Sequence, residues 1–196
     1  MNFCSHCAAP VVLKVPAGDN RARFVCDRCG TIHYQNPKVV TGCIPEWEDR
    51  ILLCRRAIEP RHGLWTLPAG FMENGETTME GAARETLEEA RAEVDILGLY
   101  TTFNLPHIDQ VYMLFRARLR TPEFGPTDES LEVGLFAERD LPWDRLAFPV
   151  VAETLKLYFQ DRTNGGFGTY VGDIVRLPGD GRRYRVAILQ SGPQAV

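Results

Sequence analysis

Residues 70–89 read Gly70-Phe71-Met72-Glu73-Asn74-Gly75-Glu76-Thr77-Thr78-Met79-Glu80-Gly81-Ala82-Ala83-Arg84-Glu85-Thr86-Leu87-Glu88-Glu89. A glycine-containing loop runs straight into a helical pattern. Thr77 and Glu80 form a Thr-x-x-Glu capping box, which predicts a helix from about residue 78 to 91. On a wheel of about 100° per residue, Glu85, Glu88 and Glu89 fall within an arc of roughly 100°. Met79, Ala83, Thr86, Leu87, Ala90 and Val94 fall opposite and are the expected core-facing side. Three carboxylates at i, i+3 and i+4 repel one another, so the arrangement costs helix stability. A solvated acidic face can carry that cost. Arg84, four residues before Glu88, and the loop ahead of the helix favour a different reading, a carboxylate cluster for a hard divalent cation. Mg2+ takes oxygen ligands, keeps several waters and bridges to substrate phosphates.

Upstream, Cys4 and Cys7 form one C-x-x-C and Cys26 and Cys29 a second, with 18 residues between. Two such turns bring four thiolates together, the spacing of a zinc ribbon with a tetrahedral S4 site. The segment between them reads as a hairpin with a long turn around Pro16-Ala17-Gly18-Asp19-Asn20. Disulfides are the competing reading, and the absence of a secretion signal weighs against them. His6 and His33 lie nearby, but four thiolates already fill the shell. A closed S4 site has no open position for chemistry, so its zinc is expected to be structural. Cys43 and Cys54 lie in strand-like stretches and read as small buried hydrophobes.

The organisation follows from these landmarks. Residues 31–37 make a short polar bridge ending in Pro37, so a zinc ribbon is expected over 1–36 and a main domain over 37–162. A glycine-rich segment and a β-hairpin follow over 163–196, with a turn at Pro178-Gly179-Asp180-Gly181. In the main domain, strands are expected at 38–45, 51–56, 94–105, 110–119 and 133–136. A second helix is expected at 150–159, with Val151, Leu155, Tyr158 and Phe159 as its apolar stripe. Residues 57–76 read as largely loop. Strands mixed with two helices, out of simple alternation, predict an α/β (α+β) sandwich around a mixed sheet.

The 196 residues are 44% hydrophobic and 24% charged, which excludes disorder, collagen and coiled coil for the whole chain. No apolar run approaches the roughly 20 residues of a membrane helix. Residues 1–10 lack a signal-peptide pattern, so a cytoplasmic protein is expected. The net charge of −4 gives no basic footprint for nucleic acid. Arg21, Arg23 and Arg28 form the sole basic cluster in the ribbon.

Gly70-x5-Glu76-x7-Arg84-Glu85-x-x-Glu88-Glu89 resembles the Nudix box of the Nudix hydrolases, G-x5-E-x7-R-E-U-x-E-E-x-G-U, where U is aliphatic. Two positions depart from it. Thr86 replaces an aliphatic residue, and Arg91 stands where glycine ends the family helix. Glycine tolerates a left-handed conformation there, whereas arginine pays roughly 1–2 kcal/mol, so the helix is expected to run slightly further or end differently. The wider pattern covers Tyr34-Gln35-Asn36-Pro37-Lys38, Gly63-Leu64-Trp65-Thr66-Leu67-Pro68-Ala69-Gly70, Glu129-Ser130-Leu131-Glu132 and Leu146-Ala147-Phe148. It is similar to the zinc-ribbon Nudix proteins that include FAD and ADP-ribose pyrophosphatases. The NADH pyrophosphatase signature S-Q-P-W-P-F-P-x-S is absent.

The resemblance implies a Nudix α/β/α sandwich and Mg2+-dependent (or Mn2+-dependent) hydrolysis of a nucleoside diphosphate linked to X. ADP-ribose or FAD is the expected small-molecule substrate, releasing AMP plus ribose 5-phosphate or FMN. It implies Glu85, Glu88 and Glu89 as metal ligands, with the Gly70 carbonyl as a further one, and Arg84 as the orienting arginine paired with Glu76. A catalytic base from a later loop points to Glu129 and Glu132, with Glu132 favoured as base or ligand. Arg55, Arg56 and Arg61 are candidates for the distal phosphate. Trp47, Phe71 and Phe103 are candidates for a base platform, whereas Trp65 reads as structural and His62 and His107 as bystanders. The alternatives are an NADH, nucleoside triphosphate or RNA-cap pyrophosphatase, a non-catalytic ADP-ribose sensor, and a zinc-ribbon nucleic-acid module. A homodimer is expected only by analogy of fold.

Overall fold

Alternation along the central strands sorts side chains to two sides of one sheet. In β4 (Lys38–Trp47) Cys43 and Ile44 are both buried but belong to different clusters, as do Leu52 and Leu53 in β5 (Arg50–Arg56) and Phe115 and Leu114 in β9 (Gln110–Leu119). A period of two with both faces covered requires a layer on each side. The computed structural model describes residues 1–179 and 183–193. It divides into two compact units, Met1–Pro37 and Lys38–Val196.

The larger unit is an α/β/α sandwich. Its sheet runs in the order β10-β5-β4-β9-β8-β11-β12, where β8 is Val94–Leu105, β10 is Ser130–Phe136, β11 is Gly168–Arg176 and β12 is Tyr184–Pro193. The β4–β9 and β8–β11 pairings are parallel and the others antiparallel. Helix α1 (Thr78–Ala90) lies over the cluster that includes Cys43, Leu52, Phe115 and Leu119. Helix α2 (Pro149–Asn164) contributes Val151, Leu155, Tyr158 and Phe159 to the opposite cluster, with Ile44, Leu53, Tyr100 and Leu114. Pro149 opens α2, where a missing N–H costs nothing, and Gly165 ends it at φ 77°. Burial pushes the thiols of Cys43 (to about 12) and Cys54 up, as expected of inert core cysteines.

Two expectations for α1 need correction. The capping box forms, with the Thr77 hydroxyl accepting from Glu80 N–H and the Glu80 carboxylate from Thr77 N–H. The buried arc, however, is Gly81, Ala82, Glu85, Thr86, Glu89 and Ala90, while Met79 and Leu87 are half exposed. Small residues let the helix sit close on β4, where Cys43 Sγ contacts the Ala82 carbonyl at 3.3 Å. One flank of that arc therefore carries Glu85 and Glu89 inward. The helix also does not run on at Arg91. It stops there, with arginine itself left-handed at φ 53°.

The stretch 57–76 is not all loop. It contains β6 (Trp65–Thr66) and β7 (Ala69–Phe71). Beyond residue 163 the hairpin of β11 and β12 extends the sheet at its edge. α2 continues to Asn164, and β11 pairs with β8 from Tyr170↔Thr101 to Asp173↔Asn104. Asp180 and Gly181 of the expected turn lie outside the described residues. The smaller unit is a three-stranded antiparallel sheet of β1 (Val11–Lys14), β2 (Arg23–Cys26) and β3 (Ile32–His33). No helix among the described residues is long and apolar enough to cross a membrane.

Candidate active site

Strands β4 and β5 pair only near their hairpin turn, at Glu46↔Ile51 and Trp47↔Arg50, and then diverge. β7 pairs with β4 and β6 with β5 in the space between. This splay brings the loop ahead of α1 against the helix. Gly70 lies opposite Thr41, and a Cβ on Gly70 would overlap the Glu85 carboxylate. With no side chain at Gly70, the Glu85 carboxylate lies directly against the strand. The Ala69 N–H donates to Glu89 Oε2 at 3.1 Å.

Arg84 ties this cluster together. Its Nε and Nη2 grip both oxygens of Glu76 at 2.9 and 2.8 Å, and Nη1 donates to Glu85 and Glu88 at 2.8 Å each. Nη2 also reaches the Phe71 carbonyl. A planar fork makes all these contacts at once, which a lysine ammonium does not do. The guanidinium holds the Glu76 carboxyl at about 2, well below the usual carboxylate range. Glu85 and Glu89 behave oppositely. Burial raises the pKa of both, that of Glu89 to about 8. Two desolvated carboxylates thus sit at one cleft, Glu85 held by Arg84 against Gly70 and Glu89 by the Ala69 N–H. Their donors are hard oxygens, so the residues fit a divalent cation.

The cleft has a volume of about 800 Å³. Its acidic part includes Glu85, Glu88, Glu89 and Glu129, with Arg56 and Arg61 nearby on its wall. Arg56 is buried, donates to the Pro60 carbonyl at 2.9 Å and lies over the Phe148 ring. Glu132 is not in the cleft. A register shift between Ser130 and Glu132 places it opposite Arg55 in β5, and the two form an ion pair at 3.1 Å. That pairing also takes Arg55 away from the cleft wall. Glu129, one residue before the strand, faces the helix carboxylates instead and adds to the rise in the pKa of Glu85 and Glu89. Two glutamates three apart look equivalent in sequence, but the bulge separates them.

Among the aromatic candidates, Phe71 lines the cleft with Lys38 Nζ 4.5 Å above its ring. Phe103 is fully buried, Trp47 packs on the α1-side core, and Trp65 is buried against Phe136. His107, expected as a bystander, lines the cleft, as do Tyr112, Arg176 and Tyr184. No motif marks the last three. Only the sheet order brings residues 176 and 184 to a site built around residue 85.

In the ribbon unit the four Sγ atoms of Cys4, Cys7, Cys26 and Cys29 lie within 4.8 Å of one another. The Cys4–Cys29 and Cys7–Cys26 separations are 3.7 and 3.5 Å. Four sulfurs around zinc at about 2.3 Å stand about 3.8 Å apart, so the cluster fits zinc. All six cysteines are free thiols. Thr31 holds the Cys29 thiol down at about 6 through its hydroxyl and its N–H. Buried His33 places Nε2 3.3 Å from Cys4 Sγ, supporting the ligand rather than replacing it.

Residues 2–35 match the family described as Nudix N-terminal, a zinc ribbon, and residues 36–157 match the NUDIX domain. The chain is a Nudix hydrolase. A Nudix hydrolase structure from Nitrosomonas europaea is 56% identical and superposes with a TM-score of 0.87, covering 89% of this chain and 99% of that one. A curated relative from Photobacterium profundum, named NAD-capped RNA hydrolase NudC, is 31% identical over 80% of this chain. The chain spans 59% of that relative's length. An ADP-ribose pyrophosphatase from Methanocaldococcus jannaschii is 31% identical over 59% of this chain and 69% of its own length. Nudix enzymes use Mg2+ or Mn2+, and the zinc-ribbon match together with the four-cysteine cluster fits structural Zn2+ in this chain.

Proposed function

We propose that this Nudix hydrolase cleaves the pyrophosphate bond of a nucleoside diphosphate linked to X, with ADP-ribose or FAD as substrate. AMP is released with ribose 5-phosphate or FMN. The observation that carries this reading is one cleft holding buried carboxylates, Arg84 and the loop arginines together, with an aromatic lining beyond them. A pyrophosphate repels a water nucleophile until its charge is neutralised. Bound divalent cations supply that neutralisation and lower the pKa of a water.

The side chains divide the remaining work. Glu85, Glu88 and Glu89, with Gly70 beside them, would hold the cations. Arg84 fixes the carboxylates relative to the Gly70 loop. Glu129 takes the place expected of Glu132 and accepts the proton of the attacking water. Arg56 and Arg61 bind the distal phosphate as hydrogen-bond forks.

A second reading, an NAD-capped RNA substrate, is favoured by the name of the Photobacterium relative. One experiment separates them. The protein is incubated with Mg2+ and ADP-ribose, FAD, NADH, a nucleoside triphosphate or NAD-capped RNA, beside Glu88→Gln, and products are resolved chromatographically. AMP from ADP-ribose or FAD, lost in the variant, is the expected result. Faster cleavage of the capped RNA would replace this reading with the second. Retained ADP-ribose binding with no turnover of any substrate would make the protein a sensor.

A further inference from the structure

The Nudix domain match ends at residue 157, yet the strands beyond it wall the cleft. β11 runs parallel to β8 as far as Asp173↔Asn104 and then continues past the end of its neighbour. The hairpin is fixed rather than loosely hung. Asn104 Nδ2 donates to Asp173 Oδ1 at 2.9 Å, and the Thr169 hydroxyl donates to the Leu99 carbonyl. At Gly172 an added Cβ would lie 2.7 Å from both Phe103 Cε1 and the Ala187 carbonyl, so the strands are in close contact there.

Arg176 and Tyr184 are direct cross-strand partners, as are Ile174 and Val186. Residues opposed in an antiparallel pair, and those two apart on a strand, share a face. Ile174 is fully buried beneath the cleft, so this face is the one turned toward it. Across from the hairpin, the His107 ring lies 5.7 Å from the Tyr184 ring at 51°. The Arg176 guanidinium has no ion-pair partner among the described residues. Two aromatic rings with a guanidinium beside them suit a planar, electron-rich heteroaromatic ring.

We infer that the C-terminal hairpin is the base-recognition wall of the cleft, where Tyr184 stacks on the nucleotide base and Arg176 flanks it. This rests on the nucleotide-pyrophosphatase reading above and names residues that set its substrate choice. Among the described residues the hairpin lends the cleft wall Ile174, Arg176 and Tyr184 and no carboxylate, so its effect falls on binding rather than on chemistry.

The test uses the full chain with Mg2+ and two non-hydrolysable probes in calorimetry, α,β-methylene-ADP and methylenediphosphonate. Both carry a P–C–P bridge, but only the first carries a base. Tyr184→Leu, which keeps apolar packing, should weaken α,β-methylene-ADP by about tenfold, within the range of one base–aromatic stack. Tyr184→Phe should bind it as the wild type does, and Arg176→Met should weaken it several-fold. Methylenediphosphonate should bind all four proteins equally. Unchanged α,β-methylene-ADP binding in Tyr184→Leu overturns the inference. Equal loss of both probes also overturns it, since the hairpin would then only be holding the cleft together. If the wild type turns over no nucleotide while the probe pattern holds, the hydrolytic reading fails and the base wall stands.

Discussion

The chain holds two clusters with donors for a metal, and they are built in opposite ways. In the ribbon, four thiols 3.5–4.8 Å apart converge from two local turns, with His33 supporting one of them. In the cleft, Glu85, Glu88 and Glu89 come from one helix, Glu129 joins them from the residue before β10, β7 contributes Gly70, and Arg84 bonds to Glu76, Glu85 and Glu88. The first is closed by four ligands of its own. The second leaves room for water and substrate in a cleft of about 800 Å³. A structural site satisfies its ion internally, whereas a reactive one leaves its charge unbalanced until substrate and cation arrive.

The contrast can be broken most directly at the ribbon. Structural zinc in such modules is worth about 10–16 kcal/mol of folding energy. Cys26→Ser should therefore lose bound zinc and expose residues 1–37 to protease well before residues 38–179, as read by elemental analysis and mass spectrometry of the fragments. Simultaneous digestion of both units would show that the larger one depends on the ribbon. Next in size is the carboxylate site. Loss of several kcal/mol of charge stabilisation predicts that Glu85→Gln lowers kcat by about 10³-fold, with the thermal midpoint held or raised because a buried charge is removed.

Smaller effects sharpen the picture. Arg84→Lys should cost about 10–100-fold in kcat or metal affinity, since an ammonium cannot grip Glu76 and reach two further carboxylates together. Rescue to wild-type rates by lysine would reduce Arg84 to a simple charge. Glu129→Ala should lower kcat by at least about tenfold and flatten its pH profile, while Glu132→Ala stays within about twofold. The reverse ranking would restore Glu132 as the base. The smallest effect is a pH signature. The folded-state pKa of Glu76 is depressed by Arg84, so its contribution to stability is present above the ordinary value near 4.5 and is lost as pH falls toward about 2. Glu76→Gln should lack that component, giving a thermal midpoint that changes less than the wild type's between pH 4.5 and 2.

Much of this was legible in order along the chain. The capping box placed α1, and the strands over 94–105 and 110–119 were readable from their apolar patterns, because those signals are local. The pairing of Arg84 with Glu88 follows from helical spacing, and its pairing with Glu76 was implied by the resemblance to the Nudix box. The inward side of α1 was misjudged because hydrophobicity ranked Met79 and Leu87 above Ala82 and Gly81, whereas close approach to β4 favours small side chains. The sequence favours Glu132 over Glu129, whereas the structure puts Glu129 at the cleft, since a one-residue bulge leaves no mark in composition.

By itself the sequence determined the two C-x-x-C turns, the carboxylate-bearing helix and its capped start, since each depends on residues a few positions apart. Only the tertiary structure decided that Glu85 and Glu89 are buried, that the Glu85 carboxylate lies against Gly70, and that His107, Arg176 and Tyr184 share a cleft with them. Those facts depend on strand order: β7 lies in the split between β4 and β5, and β11 extends past β8. A hydrophobic pattern specifies which face a strand buries, but which strand lies beside which is set by packing across the whole sheet.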